Sequence, residues 1–359
     1  AASPLDLLPP SAEDRTWARD LLRSREPQGG VRGFAALQLG ASEDRRRWPV
    51  ACFAELGARL WTEQGRLPVL LGSAQEQGLA ARFCRAAPDL PCADLTGRTS
   101  LAQLAAVLTC CDFLVTNDTG TMHLAAGLGL PVAAIFLATA QPVDTGPYRP
   151  GCLCLEPDLD CHPCAFGQDC GRGEECRRTV SADAVLDCVR LLLEPDGPAI
   201  SAPGARVWRT AFDAQGFLDL VPLTPHGDSD RARWLAVQRR SYRRFLDGLD
   251  PEPWTGPAPL RDPAAAASTC AALDKAVGLL QLLEQQLLLL ERDPRPVLKA
   301  KFLTNCRLLQ GILGDEPRLS VLGALWLFQS QQAARDLPGL GRLIRRYGHL
   351  ARSLRALFP

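Results

Sequence analysis

The stretch LVTNDTGTMHLAAGLGLPVAAIF, from Leu114 to Phe136, places an Asp-Thr-Gly directly after an apolar run. In an aspartic protease, two such loops face each other in an all-β protein, so that two carboxylates share one proton. Here the tripeptide is followed by an alanine-rich helical pattern and then by a second apolar run. This context is typical of an α/β protein and argues against a protease.

A strand-to-helix turn that binds phosphate fits the same residues. Asp118 ends the predicted strand, and Thr119 and Gly120 begin a helix whose free N–H groups and dipole favour an anion. Gly120 would let a phosphate approach the backbone closely. His123 lies one helical turn after Thr119 on the same face. The alternative is structural, with Asp118 as a helix cap and His123 as a surface side chain.

Two other predicted strand ends carry polar groups. LGASEDRRRWP, from Leu39 to Pro49, offers the hydroxyl of Ser42 and a basic run that includes Arg46, a combination that can neutralise a pyrophosphate. LLGSAQEQ places Glu76 in the first turn of a helix, where a carboxylate can accept from ribose hydroxyls. Solvated charges are the simpler interpretation of both. Three such loops at strand ends nevertheless favour a nucleotide or sugar-nucleotide site.

The order of elements predicts the fold that would bring these loops together. Short apolar runs alternate with helical patterns from Gly33 to Leu137, which is typical of a doubly wound, parallel α/β sheet. Ligands of such sheets bind at the carboxyl ends of the strands.

The remaining sequence divides into further regions. Residues 1–30 are interpreted as a linker and helix left from an interdomain region, with sequence missing upstream because no initiator Met is present. A Rossmann-like domain would span 31–195, with a Cys-rich loop at 152–176. Residues 196–227 are predicted to be a linker by composition, and 228–359 to form an all-α helical bundle.

Composition excludes several classes of protein. Lys plus Arg and Asp plus Glu both number 40, and this zero net charge argues against a nucleic-acid binder. The most apolar stretch, Ala276 to Glu291, is too short and too polar to span a membrane. No secretion signal is visible. Fourteen cysteines without such a signal favour a reduced, cytoplasmic setting.

Taken in order and spacing, the segments LQLGASEDRRRWP, LLGSAQE, DLTGRTSLAQLAAVL, LVTNDTGTMHLAAGLGLPVAAIF and TGPY resemble the C-terminal half of glycosyltransferase family 9, the ADP-heptose:lipopolysaccharide heptosyltransferases. The resemblance covers roughly Ser11 to Glu194. It implies a GT-B architecture of two Rossmann-like domains and an inverting transfer from an ADP-sugar, heptose being the first expectation, to a lipopolysaccharide-type or other glycan acceptor. The general base would lie in an N-terminal domain that this sequence lacks, so no catalytic residue is assigned.

The resemblance also implies roles for individual residues. Ser42 and Arg46 would contact phosphate, with Arg46 in a position where the family typically has Lys. Glu76 would bind ribose and Thr99 would lie against adenine. The diphosphate and sugar would be bound by a last group, namely Asp118, Thr119, Gly120 and His123.

A non-catalytic alternative remains open, in which a degenerate transferase domain and the helical bundle form a scaffold. The bundle could mediate oligomerisation or dock a partner. Its basic, aromatic-containing segment Arg231 to Phe245 permits contact with an anionic membrane surface, although a solvated helix face is the simpler interpretation. The expected location is therefore cytoplasmic, with peripheral contact at the inner membrane as a further option.

A cluster of cysteines, CHPCAFGQDCGRGEEC, could bind a metal. Four thiolates on a short loop can hold zinc tetrahedrally, although the wider second spacing departs from a zinc ribbon. The spacing matches no standard iron–sulfur run, and two disulfides or four free thiols are the alternatives. No cofactor is expected to be needed for the chemistry. The candidate ligands of a structural zinc ion are Cys161, Cys164, Cys170 and Cys176.

Overall fold

The computed structural model describes residues 9–333 and 336–359, and the chain divides into two compact units between Gly227 and Asp228. The first eight residues of the predicted N-terminal linker lie outside the described residues. The strands of the first unit are β1 (Gly33–Gln38), β2 (Arg66–Leu71), β3 (Ala93–Asp94), β4 (Phe113–Asn117), β5 (Val132–Ile135), β6 (Leu153–Pro157), β7 (Ala205–Phe212) and β8 (Leu218–Pro222). Its helices are α1 (Ala12–Arg23), α2 (Val50–Gln64), α3 (Gln77–Ala86), α4 (Leu101–Leu108), α5 (Gly120–Gly127), α6 (Pro142–Thr145), α7 (Cys176–Thr179) and α8 (Ala182–Leu193).

The eight strands form one sheet in the order β3-β2-β1-β4-β5-β6-β7-β8. All neighbours from β3 to β6 pair in parallel, whereas β6, β7 and β8 pair antiparallel. The prediction of an α/β sheet is therefore confirmed, with two antiparallel strands added at one edge. The strand order reverses between β1 and β4, which creates the crevice where ligands of such sheets bind.

Helices pack on the sheet in two groups. Helix α2 contacts α3 and α8, whereas α4 contacts α1 and α5. Alternate residues of β1, Ala35 and Leu37, join Phe53 of α2 and Val185 of α8 in one buried cluster, as the two-residue period of a strand requires. The apolar runs in the sequence thus correspond to strands that are buried on both faces.

Local signals explain several helix ends. Ser11 caps α1 by accepting from the amide of Asp14 at 3.0 Å. Ser100 caps α4 through a capping box with Gln103. Helix α2 ends at Gly65, whose φ of +64° suits a residue without a Cβ atom.

The linker predicted at 196–227 is wrong for much of its length, because β7 and β8 lie within it. Pro and Gly before Ala205 indicated a linker, but the following run is a strand that pairs with β6. A strand is recognised in a sequence by alternating apolar and polar residues. In β7 this alternation is obscured, because polar Arg206 and Thr210 are buried together with Val207. The predicted Cys-rich loop is likewise interrupted, since it contains β6 and the start of α7.

A second Asp-Thr-Gly, at Asp144 to Gly146, is present at the end of α6 and was overlooked in the sequence interpretation. It lies in the same α/β unit as the first, and its carboxylate accepts from Gln141 at 2.7 Å. The α/β sheet, rather than the number of copies, is what excludes the paired loops of an aspartic protease.

The described residues of the second unit, 228–333 and 336–359, form helices joined by irregular segments and contain no strand. Its helices share a core that includes Trp234, Phe302, Trp326 and Tyr347. They are α9 (Asp230–Leu246), α10 (Pro263–Arg292), α11 (Pro296–Asp315), α12 (Ser320–Gln332) and α13 (Leu337–Arg355).

Helix α10 is longer than the apolar stretch singled out in the sequence. Within the described residues it is the one helix long and apolar enough, by length and composition, to cross a membrane. Core helices of soluble proteins meet the same criterion, and Leu273, Leu280 and Leu283 of α10 are buried in the helical core. The prediction that this segment is too short to span a membrane considered only Ala276 to Glu291, whereas the helix extends from Pro263 to Arg292.

Candidate functional site

The crevice at the switch point is built around Asn117, the last residue of β4. Its side chain is fully buried and accepts from the backbone amide of Trp48 at 2.8 Å. It donates to the carbonyls of Leu39 and Gly40 at 3.1 and 2.8 Å. One amide side chain therefore joins the loop after β1 to the end of β4. Trp48 is itself fully buried and donates from its indole to the carbonyl of Val180 at 2.8 Å, so its role is structural.

Arg46 and Asp118 meet in this crevice, as the sequence predicts for neighbouring strand ends. Arg46 Nη1 lies 3.8 Å from Asp118 Oδ2, and both side chains are mostly buried. Arg46 Nε also donates to Thr139 Oγ1, just beyond β5, at 2.7 Å. The guanidinium is thus fixed between three loops, where it can contact an anion with little reorganisation.

Glu76 belongs to the same crevice through a chain of hydrogen bonds. It accepts from the backbone amide of Ser73 at 2.7 Å and from Gln38 Nε2 at 3.4 Å. Gln38, at the end of β1, accepts in turn from Thr121 Oγ1 at 3.2 Å. The carboxylate packs over Gly40, where an added Cβ would stand 1.3 Å from Glu76 Oε1. The loops after β1 and β2 and the start of α5 are therefore connected.

The first turn of α5 is open to solvent. Thr119 is its N-cap residue by position, but its hydroxyl pairs with that of Thr116 at 3.1 Å rather than with a backbone amide. Among the described residues, no side chain or backbone atom beyond the adjoining residues of the helix lies within 4 Å of a Cβ built on Gly120, so space for a ligand is available there. His123 and Ser42 are both exposed. The free backbone amides at this helix start can donate hydrogen bonds to an anion, and the exposed polar side chains can contact it.

Thr99 is positioned less directly. It lies after β3, next to the N-cap residue of α4, and is half-buried. In the part of the chain that the structure describes, no hydrogen bond joins it to the other predicted site residues. The loop that carries it is held against the loop after β2, because the amide of Gly97 donates to the carbonyl of Gly72 at 2.8 Å.

The basic run after β1 is largely paired within the protein. Arg45 and Glu43 form a 2.8 Å ion pair, whose hydrogen bond lowers the pKa of Glu43 and raises that of Arg45. Arg47 pairs with Asp44. The run is therefore neither a fully solvated charge cluster nor three free cations, and Arg46 is the member that faces the crevice.

The Cys-rich segment lies beside this run. Arg45 donates to the carbonyl of Gln168 at 2.9 Å, and the guanidinium of Arg46 lies 5.6 Å from the ring centroid of Phe166. Phe166 is 72% exposed, so it forms a free aromatic edge next to the crevice.

The four candidate metal ligands are close enough to interact electrostatically. Burial, then Cys161 and Cys170, raise the pKa of the Cys164 thiol. Burial likewise raises the pKa of Cys176, with a smaller contribution from the other three thiols. Among residues 9–333 and 336–359, however, no group of three or more His, Cys, Asp or Glu side chains is arranged to hold a metal ion.

Three residues of the crevice were missed by the sequence interpretation, namely Gln38, Asn117 and Thr139. A polar residue that ends an otherwise apolar strand was a usable signal for Gln38 and Asn117, because a buried amide needs partners. Nothing local indicates Thr139.

Comparison with known proteins bears directly on this unit. Residues 9–171 match the model of glycosyltransferase family 9 (heptosyltransferase). Residues 9–171 therefore resemble this family. The matched residues run from before α1 into the Cys-rich segment and include all eight residues assigned to the donor site.

Individual relatives match parts of this chain. The chain is 33% identical over 157 residues to lipopolysaccharide heptosyltransferase 1 of Pseudomonas aeruginosa, covering 44% of this chain and 42% of that protein. It is 34% identical over 98 residues to lipooligosaccharide heptosyltransferase 2 of Haemophilus influenzae, covering 26% and 28%. The chain therefore spans less than half the length of either relative.

One solved structure is similar to part of this chain. The E. coli ADP-heptose LPS heptosyltransferase II superposes with a TM-score of 0.42 at 24% identity, covering 52% of this chain and 53% of that one.

Proposed function

We propose that the α/β unit is a glycosyltransferase family 9 domain that binds a nucleotide-sugar donor, an ADP-sugar with heptose as its sugar. In this proposal it serves a glycosyltransferase that acts on a lipopolysaccharide-type or other glycan acceptor. The observation that carries the proposal is the joining of three strand-end loops at the switch point by Asn117, Arg46 and Glu76. The relatives, which are heptosyltransferases by name, support the sugar and the acceptor class.

In this proposal the domain is the donor-binding half of a GT-B enzyme. Arg46 and the free amides at the start of α5 stabilise the diphosphate leaving group as its negative charge develops. Glu76 accepts from the ribose hydroxyls, and Thr99 lies against the base. Transfer with inversion needs a general base near the acceptor, and none of the residues assigned here has that role. Bacterial relatives of this kind support a cytoplasmic location, with the acceptor at the inner membrane.

Calorimetric titration with ADP, using UDP and GDP as controls, tests the proposal. We expect selective ADP binding that weakens in Asp118→Ala and in His123→Ala, because both side chains border the open first turn of α5. Asp144→Ala is the matched control, since it removes the carboxylate of the other, exposed Asp-Thr-Gly and leaves the crevice intact.

Absence of binding to any nucleotide, by protein shown to be folded, would overturn the donor-site proposal. The alternative would then hold, in which the domain is catalytically degenerate and the chain acts as a scaffold that assembles through its helical unit.

Gly40→Ala tests the position of Glu76. The new Cβ would occupy the place of Glu76 Oε1, so the flexible carboxylate must move away from Ser73 and Gln38. We expect ADP affinity to fall by about tenfold, equivalent to one charge-assisted hydrogen bond. The free energy of unfolding should change little, because the end of a flexible side chain yields easily. Gly78→Ala, where nothing lies within 4 Å of the added carbon, is the control.

A structural zinc ion bound by Cys161, Cys164, Cys170 and Cys176 stays a proposal. Elemental analysis of protein purified without chelator should find one zinc per chain, and none in Cys161→Ser/Cys164→Ser. The double variant Cys84→Ser/Cys92→Ser, which removes two other neighbouring thiols, should retain the metal. Equal metal content in both variants would contradict the assignment.

A further inference from the structure

A cavity of about 440 Å³ lies in the helical unit, between the end of α9 with the residues that follow it and one face of α13. This volume is in the range of small-molecule sites. Basic side chains dominate the polar part of its lining, with Asp250 as the acidic member. The basic side chains are Arg244, Arg342, Arg345, Arg346 and His349.

Arg346 is the best positioned of these groups. It donates to the backbone carbonyl of Phe245, and its guanidinium carbon lies 4.7 Å from the centroid of the Phe245 ring. Phe245 is buried and makes an edge-to-face contact with buried Tyr347 at 4.8 Å. In the part of the chain that the structure describes, no carboxylate lies within ion-pair distance of Arg346. A cation held against the core without an anionic partner is ready to bind an anion.

The other arginines form ion pairs with exposed carboxylates. Exposed pairs of this kind contribute little to stability, so a multiply charged anion in the cavity can replace them. Arg244 also donates to the carbonyl of Asp250 at 2.8 Å, which keeps its guanidinium at the cavity wall. The pairs are Arg244–Glu252 at 2.6 Å, Arg342–Asp336 at 3.5 Å and Arg345–Glu284 at 3.7 Å.

Apart from Ser241, the rest of the lining is apolar. Phe245 and Leu350 are buried, whereas Leu249 is 53% exposed at the cavity. Exposed leucine beside clustered guanidinium groups suits a ligand whose charged group adjoins an apolar portion.

We propose that this cavity binds the phosphate group of an amphiphilic phosphate ester. Several guanidinium groups around one space match the oxygens of a phosphate, which accept two parallel hydrogen bonds from one Arg. A single carboxylate would leave most of these donors unused. The ligand is either a phospholipid head group at a membrane surface or a soluble phosphate ester. This site lies in the helical unit and is independent of the donor site.

The test uses the full chain with Arg345→Gln/Arg346→Gln. Lys275→Gln/Arg292→Gln is the matched control, because it removes two exposed charges of the same unit away from the cavity. One arm is calorimetric titration with pyrophosphate. The other is co-sedimentation with vesicles of phosphatidylcholine, with and without phosphatidylglycerol. The α/β unit is identical in all these proteins, so phosphate bound there contributes equally to each, and ADP binding reports separately on the donor site.

We expect affinity to fall at least about tenfold in the cavity variant and to be unchanged in the control. If the cavity variant loses affinity only for pyrophosphate, the ligand is a soluble phosphate ester. If it loses affinity only for the phosphatidylglycerol vesicles, the ligand is a lipid head group. Equal binding by both variants, or no binding in either arm, overturns the proposal. Arg342→Gln/His349→Gln, which leaves the contacts of Arg346 with Phe245 in place, repeats the test if the first variant does not fold.

Discussion

Asn117→Ala should lower the free energy of unfolding of the α/β unit by about 3–5 kcal/mol, since it leaves buried backbone groups without partners. The fully buried amide makes three hydrogen bonds, to the amide of Trp48 and to the carbonyls of Leu39 and Gly40. For a unit of this size the loss corresponds to a fall in melting temperature of roughly 6–20 °C. ADP affinity should fall as well, because the loop that carries Arg46 loses its attachment to β4.

Two variants sharpen this test. Asn117→Asp keeps the acceptor for Trp48 but loses both donated bonds and buries a charge, so it should destabilise the protein at least as much. Asn305→Ala in the helical unit is the matched control, because that partly buried amide donates a hydrogen bond to the side chain of Gln286 at 3.1 Å. A melting temperature for Asn117→Ala no lower than that of the control would show that Asn117 does not hold the crevice together.

Arg46→Ala should weaken ADP binding by about ten- to hundredfold, the effect of removing a charge-assisted contact to phosphate. Arg46 is fixed by Thr139 Oγ1 at 2.7 Å and faces Asp118 at 3.8 Å, so its guanidinium is already in place before a ligand arrives. Removing it would also leave Asp118 without its cation beside an incoming diphosphate. Titration calorimetry with ADP measures the effect.

Arg46→Lys separates charge from geometry. It keeps the cation but loses the planar guanidinium, so we expect a smaller loss of affinity than in Arg46→Ala. Arg59→Ala is the control, because Arg59 pairs with Glu63 and Asp183 and has no contact with the crevice residues. Equal ADP affinity in Arg46→Ala and Arg59→Ala would show that the basic run after β1 does not contact phosphate.

Much of the fold could be predicted from the sequence because its signals are local. The alternation of apolar runs with helical patterns is decided by periods of two and 3.6 residues, and helix ends by residues such as Ser11 and Gly65. The sequence also predicts that polar groups at strand ends, among them Arg46 and Asp118, belong to one edge of the sheet. The missed strands β7 and β8 show the limit of this method, because buried Arg206 and Thr210 conceal the alternation.

The series of elements, the polar strand ends and the motifs that resemble glycosyltransferase family 9 can all be recognised in the amino-acid sequence. Which of these groups meet depends on the tertiary structure. The strand order brings Thr139 to Arg46 across 93 residues of sequence, and packing of α9 against α13 gathers Arg244 and Arg346 around one cavity. The tertiary structure also shows that Gln38 and Asn117 connect the loops of the crevice by hydrogen bonds. Such contacts depend on strand pairing and on the burial of polar groups between distant segments, whereas sequence patterns report local periodicity.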